Sequence, residues 1–457
     1  MYKRQLEDYE IQELVKKYSD YIRYPIKMNI TRHEQKKDVD GKPIENAYED
    51  IIETKTLNSM VPLWKQPKKD VTDEKLNAFY KEKFMDYEDP LLAFNVKVDG
   101  LVCYNALLYI PSHVPQDVYS TEYEKGLDLY AKGVFIQEKC KALIPDYLRF
   151  VHGLVDSDDL SLNISREMLQ DDATLAKIKD SIEKKILSNL KDLKEHDNEK
   201  YLKFFNLYGS FFKYGIYSSY GSKKEELQDM LYYDCLSKDQ MITLKDYVSG
   251  MSKDQKYIYY ACGKTLESIR LLPQIEKYKK NNIEVLFLKD SIDEFTMLMM
   301  HDYDGKEFKN IGEEDKSDLT TEEKEKVENL VKDNKDLLTS LKDALKDKVD
   351  DVTFSSSLVD SPVCISTKDK VSMNVEEVMD KQPETSGKVK SNKVLEINPD
   401  HELFQAIKSL SESGKNVEAY ADVLYNEALL LQGFDIKDKT DFVKSCLLYT
   451  SPSPRDS

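Results

Sequence analysis

DSDDLSLNISREMLQ, residues 156–170, is the stretch around which the rest of the chain is organised. It opens on an acidic, turn-prone run of Asp156, Ser157, Asp158 and Asp159. Leu160, Leu162 and Ile164 then alternate, as in an extended segment. Ser165 reads as a helix N-cap, which would put Arg166 and Gln170, four apart, on one face of the helix it opens. Arg166 carries a rigid fork of donors that matches phosphate oxygens. Spacing alone describes no more than a solvated helix face, the ordinary place of charged side chains.

Upstream, Phe94, Val96 and Val98 alternate as far as Asp99-Gly100, and an apolar run from Leu101 to Ile110 follows, which predicts a hairpin. LDLYAKGVFI (127–136) and CKALIPDYLRFVHGLV (140–155) add a second hairpin-like pair and a helix. Strands interleaved with helices make this an α/β layer domain. At the start, residues 6–24 read as a helix with Ile11, Leu14, Val15, Tyr18 and Ile22 on one face, stopped by Pro25. Ile26, Met28 and Ile30 read as a strand, and 32–50 as an exposed loop turning at Asp40-Gly41. Trp64, the sole tryptophan, sits in MVPLWKQP and reads as a partly buried anchor rather than part of a ligand box.

Downstream, Leu175, Ile178, Ile182, Ile186, Leu190 and Leu193, then Phe204, Phe205, Tyr208, Phe211 and Phe212, describe a few packed helices. Residues 256–288 read strand, helix, strand, a small βαβ unit. Gly263-Lys264-Thr265 within it imitates the end of a phosphate-binding loop. That loop needs a further glycine five residues before Gly263, where the chain has Ile258. Gly263 is therefore expected to make the strand-to-helix turn, with Thr265 as the N-cap. From Tyr303 the chain is polar and acidic, a boundary. Thr320-Thr321-Glu322-Glu323 opens a helix striped by Val327, Leu330, Val331, Leu338, Leu341 and Leu345. VTFSSSL and VCIST read as strands, 376–392 as a flexible connector, and Asn416 caps a helix with Tyr420, Val423, Leu424, Ala428 and Leu431 along one face, ending near Gly433.

Composition bounds the reading. The chain has 457 residues, room for about three domains. It is 40% hydrophobic and 33% charged with net charge −18, so it has apolar matter for cores and no basic surface for nucleic acid. No apolar run is long enough for a membrane span. No secretory signal opens it. Six scattered cysteines form no metal-like spacing and read as reduced thiols in a cytoplasmic protein.

The run LNISREMLQ, preceded by IPDYLRFVHGLVDSDDL, resembles the middle domain of the heat-shock protein 90 chaperones, of the bacterial type. LEDYEIQELVKKYSDYIRYPI resembles the start of that domain, and LVDSPVCIST and VLEINPDHELFQAI its C-terminal dimerisation domain. The resemblance implies an α/β and α+β protein. A middle domain at 6–302 would comprise a large α/β part (6–170), a helical part (171–250) and a small βαβ part (251–302). A linker at 303–319 would lead to a mixed α+β dimerisation domain at 320–445. It implies that Arg166 and Gln170 belong to a catalytic loop, Arg166 reaching the terminal phosphate of ATP held by a separate N-terminal domain. It implies that Trp64 lies on the middle-domain surface in client or domain signalling. It implies, too, that Tyr420, Val423, Leu424, Ala428 and Leu431 face a second copy.

The resemblance stops short at both ends. The N-terminal ATPase domain has no counterpart in the match, and residues 1–5 and 446–457 read as artefacts, the latter because Pro452 and Pro454 cannot continue a helix. The expected function is ATP-dependent chaperoning of client proteins. ATP with Mg would serve the full-length protein, no cofactor would bind this chain alone, and no metal site is expected. As an enzyme the family hydrolyses ATP, and this chain supplies only the catalytic-loop Arg. Its partners would be clients and a second copy, in a homodimer weakened by the altered C-terminus, without nucleic acid or membrane. A non-catalytic dimeric client-binding scaffold is the alternative.

Overall fold

Asp99-Gly100 turns the chain where expected, and the strands on either side pair in antiparallel register from Leu92↔Ile110 to Val98↔Tyr104. The computed structural model describes residues 7–37, 43–160, 173–314, 321–413 and 417–450. The chain divides into two units, 1–211 and 212–457.

In the first unit, α1 (Asp8–Ser19) leads into β1 (Lys27–Lys37), β2 (Pro43–Thr56) and α2 (Asp73–Phe84). Then come β3 (Leu92–Val98), β4 (Tyr104–Ile110), β5 (Leu127–Ala131), β6 (Val134–Cys140) and β7 (His152–Ser157). α3 (Ala173–His196) and α4 (Asn198–Ser218) follow, the division between units falling inside α4. Five strands make one mixed sheet in the order β3-β4-β7-β5-β6, with β5 parallel to β7. Its middle is fully buried, Ala106 to Ile110 on β4 and Leu154 and Val155 on β7, so these strands read as apolar runs rather than alternations. Of the stripe read from the sequence, α3 buries Leu175, Ile178, Ile182, Ile186 and Leu190 and leaves Leu193 half-buried. Its buried Glu183 accepts from the Tyr147 hydroxyl at 2.6 Å. Phe150 stacks on Tyr208 of α4 at 4.3 Å, and the Tyr208 hydroxyl donates to the carbonyls of Pro111 and His113.

Two expectations for this unit are corrected. The described residues of the stretch 32–50 are strand, not loop: β1 and β2 pair as a long antiparallel ribbon from Lys27↔Thr56 onward. Cross-strand charges such as Arg32 with Glu53, beside β-branched Thr31, Ile51 and Ile52, give a ribbon exposed on both sides, so its composition looked like a loop. The turn at Asp40-Gly41 lies outside the described residues. The first helix ends at Ser19 rather than before Pro25. Asp20 leaves the helix to accept from the backbone and hydroxyl of Ser59.

The second unit continues with α5 (Lys224–Leu227), β8 (Asp234–Cys235), α6 (Leu244–Gly250), β9 (Tyr257–Cys262), α7 (Leu266–Arg270) and α8 (Ile275–Lys280). Next are β10 (Leu286–Leu288), α9 (Asp293–Met300), β11 (Asp302–Tyr303) and β12 (Lys306–Asn310). β9 and β10 are parallel with two short helices between them, the βαβ unit expected from the sequence, in a sheet ordered β11-β12-β9-β10-β8. β12 pairs with β9, so residues 306–310 of the stretch read as linker belong to this sheet. The Lys213 ammonium, 7% exposed, bridges Asp293 at 2.6 Å and Asp290 at 2.8 Å.

The rest of the unit holds α10 (Thr321–Asp333), α11 (Lys335–Ala344), β13 (Asp351–Phe354), β14 (Val363–Thr367) and α12 (Met373–Asp380). It ends with β15 (Lys393–Ile397), α13 (Glu402–Glu412), α14 (Glu418–Leu431) and α15 (Lys439–Thr450). β15 lies between β13 and β14, parallel to the first and antiparallel to the second. The stripe read as one helix is two, α10 and α11, separated at Asn334, whose side chain bonds back to the Leu330 carbonyl. Nor is 376–392 wholly a connector: α12 runs to Asp380, and Glu376 returns to bind Lys393 at 2.8 Å and the Ser391 hydroxyl. The caps expected at Thr320 and Asn416 lie outside the described residues, as do 1–6 and 451–457. Layered α/β in the first unit and mixed α+β in the second is the architecture expected.

Candidate functional site

Arg166 and Gln170, with Leu162, Ile164 and Ser165, lie outside the described residues. What the structure describes is the platform from which that stretch departs. Asp156 and Ser157 are not a turn but the last two residues of β7, and both are buried. The Asp156 carboxylate, fully buried, is held by three donors. The Trp64 indole N–H reaches Oδ2 at 3.0 Å, the Lys65 ammonium the same oxygen at 2.8 Å, and the Gly133 N–H reaches Oδ1 at 3.0 Å. A charge can be buried here because each oxygen is satisfied and one donor is a cation.

Each donor has a local cause. Trp64 is 1% exposed in a short 3₁₀ turn at Leu63–Lys65, its ring edge-on to Tyr21 at 4.5 Å and close to Tyr130 at 5.4 Å. Lys65, next in the same turn, also reaches Asp158 at 3.4 Å. Burial works against its charge, but Asp156 and Asp158 outweigh that and hold the ammonium above its ordinary range. Gly133 closes the tight turn between β5 and β6 at φ +80°, after Lys132 at φ +53°. A Cβ at Gly133 would lie 2.6 Å from the Tyr21 carbonyl oxygen, so only glycine lets the segment after α1 close over the site. Burial pushes the phenols of Tyr21 and Tyr130 well up, leaving both neutral.

This corrects the place expected for Trp64, which is a core residue bonded to the base of the 156–170 stretch rather than a surface one. Sequence reasoning missed Lys65 and Gly133. The available signals were the cation beside the sole tryptophan and the Lys-Gly pair closing a two-residue turn.

Gly263-Lys264-Thr265 behaves as its missing glycine foretold. Thr265 caps α7 by accepting from the Ser268 N–H, Lys264 pairs with Glu377 at 3.1 Å, and Ile258 is buried within β9. This turn does not fit a nucleotide's phosphates.

On α14 the five residues expected at a dimer contact divide. Leu424 and Ala428 are buried in the unit's own core with Leu341, Leu395 and Phe404, which removes them from any contact with a second copy. Tyr420, Val423 and Leu431 are half-buried, and among the described side chains of α14 and α15 the large apolar ones Leu430 and Val443 are exposed. Elsewhere in the second unit, Tyr214, Tyr217 and Tyr220 follow one another at three-residue steps on and just past α4, 39%, 39% and 87% exposed. Tyr217 meets the half-buried Phe295 ring edge-on at 5.7 Å.

An α/β unit followed by a mixed α+β unit is the arrangement expected of the chaperone family that the sequence resembles. The Hsp90 protein family model matches residues 31–450, and the chain belongs to that family. It is 43% identical over 438 residues to the chaperone protein HtpG of Clostridium perfringens, covering 96% of this chain and 69% of the relative. It is 42% identical over 441 residues to that of Bacillus subtilis, with 96% and 70% covered. No helix among the described residues is long and apolar enough to cross a membrane.

Proposed function

We propose that this chain works in an ATP-driven chaperone cycle on client proteins, as a homodimer in the cytoplasm, with Arg166 stabilising charge on the terminal phosphate of a nucleotide held by another domain and Gln170 assisting. The observation that supports this reading best is the Asp156 anchor. Three donors on one buried carboxylate fix the chain ten residues before Arg166, a rigidity that a solvated helix face does not need. ATP with Mg would be bound outside the described residues. The exposed tyrosines beside Phe295 offer an aromatic surface of the kind that holds partly folded chains.

In the full-length protein, Arg166→Ala is expected to lower ATP turnover by ~10²–10³-fold while leaving ATP affinity nearly intact, because a donor aimed at developing charge acts on the rate. Gln170→Ala should act the same way, more weakly. Unchanged turnover in Arg166→Ala would leave the arginine a solvated surface group. The exposed Leu430 and Val443 favour a second reading, a dimeric client-binding scaffold without chemistry. Client binding that is indifferent to ATP would select it.

A further inference from the structure

Two hydrophobic cores in the second unit are joined along β14. One gathers Ala261, Ile269, Ile275 and Phe287 from β9, α7, α8 and β10. The other gathers Leu341, Val363, Leu395 and Phe404 from α11, β14, β15 and α13. Hydrogen bonds cross from one to the other. The Gln274 side-chain amide donates to the Ile365 carbonyl at 3.0 Å. The Thr367 N–H donates to the Gly312 carbonyl at 3.0 Å, and the Glu314 N–H to the Thr367 carbonyl at 2.8 Å. A cavity of about 40 Å³ lies beside these links, lined in part by Leu272, Gln274, Gly312, Ile365, Thr367 and Gln432. Lys264 with Glu377, and Ser372 with Glu294, tie α12 to the same side.

The densest link is at Glu276, in the first turn of α8. Its Oε2 accepts from the N–H groups of Val359 and Asp360, both at 2.8 Å, and of Ser361 at 3.3 Å. Its Oε1 accepts from the Ser361 hydroxyl at 2.5 Å. Three successive N–H groups turned to one point make an anion-binding concavity. Asn398, buried just past β15, shapes it from behind. Its side-chain amide donates to the carbonyls of Val359 at 3.1 Å and Ser361 at 3.0 Å, and its N–H to the Pro362 carbonyl at 2.9 Å. The nest is thus held in shape by its own core, and its occupant comes from the other. Burial works against the Glu276 charge, but the Ser361 hydroxyl and the backbone N–H groups outweigh it and hold the carboxyl below its ordinary range.

We propose that residues 359–361 are a carboxylate-binding nest and that Glu276, seated in it, is a latch between the two cores. Neutral hydrogen bonds across the joint exchange for bonds to water at small net cost, whereas a charged acceptor holds its donors about twice as strongly. The joint therefore depends most on the one link that a single side chain can release. Val359 is 38% exposed and Asp360 is exposed, so a solute reaches the nest when Glu276 leaves it. A small free carboxylate then takes its place.

The test uses Glu276→Ala and Glu276→Gln in the intact chain, read by hydrogen exchange at the amides of Val359, Asp360 and Ser361 in the nest and of Glu314 and Thr367 across the joint. Glu276→Ala should speed exchange at all five at least ~10-fold, the loss of one charged acceptor. Glu276→Gln keeps an oxygen without the charge and should fall between. It also preserves the side-chain volume, so it carries the same comparison if the alanine variant does not fold. Formate added to Glu276→Ala should slow exchange at 359–361 again, because it brings the same group to a preformed site. Chloride at the same ionic strength should not. Glu314 and Thr367 should stay fast in formate, since a free anion fills the nest without holding α8.

Unchanged exchange at 359–361 in both variants overturns the nest and the latch together. Exchange in Glu276→Ala that formate slows no more than chloride does overturns the nest. Faster exchange at 359–361 with Glu314 and Thr367 undisturbed overturns the latch.

Discussion

Asp156→Ala is the change from which the first unit should suffer most for the fewest atoms removed. The substitution takes away one buried carboxylate and strands two donors, the Trp64 indole N–H and the Gly133 N–H, both paired with it at 3.0 Å. Each buried donor left unsatisfied costs about 1–3 kcal/mol. Lys65, 30% exposed, keeps Asp158 and water and adds little. The loss should therefore come to ~4 kcal/mol, with a range of 2–6. Asp156→Asn keeps one acceptor but turns an NH₂ toward a donor, so it should lose ~1–3 kcal/mol. Lys65→Met should lose less than either, because half of its work is done at an exposed carboxylate.

The assay is provided by the sequence. Trp64 is the only tryptophan, so its fluorescence during urea unfolding follows the first unit without interference from the second. In Asp156→Ala the midpoint should fall with little change in slope. An Asp156→Ala protein within ~1 kcal/mol of the parent, or one that ranks above Asp156→Asn, would refute the claim that this carboxylate holds the platform together.

Two further outcomes concern the second unit. Lys213→Met leaves Asp293 buried and without its cation, which should cost ~3–5 kcal/mol near neutral pH. Burial already holds the Asp293 carboxyl above its ordinary value, so the folded state prefers it protonated. Its penalty is therefore absent below the unfolded carboxylate range and grows as pH rises through the folded value. Hydrogen exchange of the α9 amides should accordingly show the variant's deficit shrinking as pH falls, and a deficit constant with pH would contradict this. Leu424→Ala should destabilise the unit by ~2–5 kcal/mol through a core cavity, seen as a lowered thermal midpoint at any protein concentration. Leu430→Ala, on the exposed side of α14, should instead leave folding alone and, on the homodimer proposed above, raise the concentration at which it dissociates in sedimentation.

Periodicity by itself determined much of this protein. Of the six apolar residues of α3 that recur at helical spacing, five are buried and Leu193, in the last turn, is half-buried. Asp99-Gly100 placed a hairpin, and the Ile258 that stands where a phosphate loop needs glycine settled Gly263-Lys264-Thr265 as a capped turn. The SREMLQ run carried the family.

Local pattern failed where a residue's partner is distant in the chain. Past Met28 and Ile30 the described side chains of the β1–β2 ribbon are exposed on both faces, so there is no alternation to read there. Leu424 and Ala428 share one helical face with Tyr420, Val423 and Leu431, and only the sheet beneath α14 decides which of that face is sealed in the core. Trp64 and Asp156 are 92 residues apart. Nothing local marks Asp156 as different from Asp158. One is buried and the other lies open because β7 ends between them, and burial turns an ordinary carboxylate into an anchor that must find a donor for each oxygen.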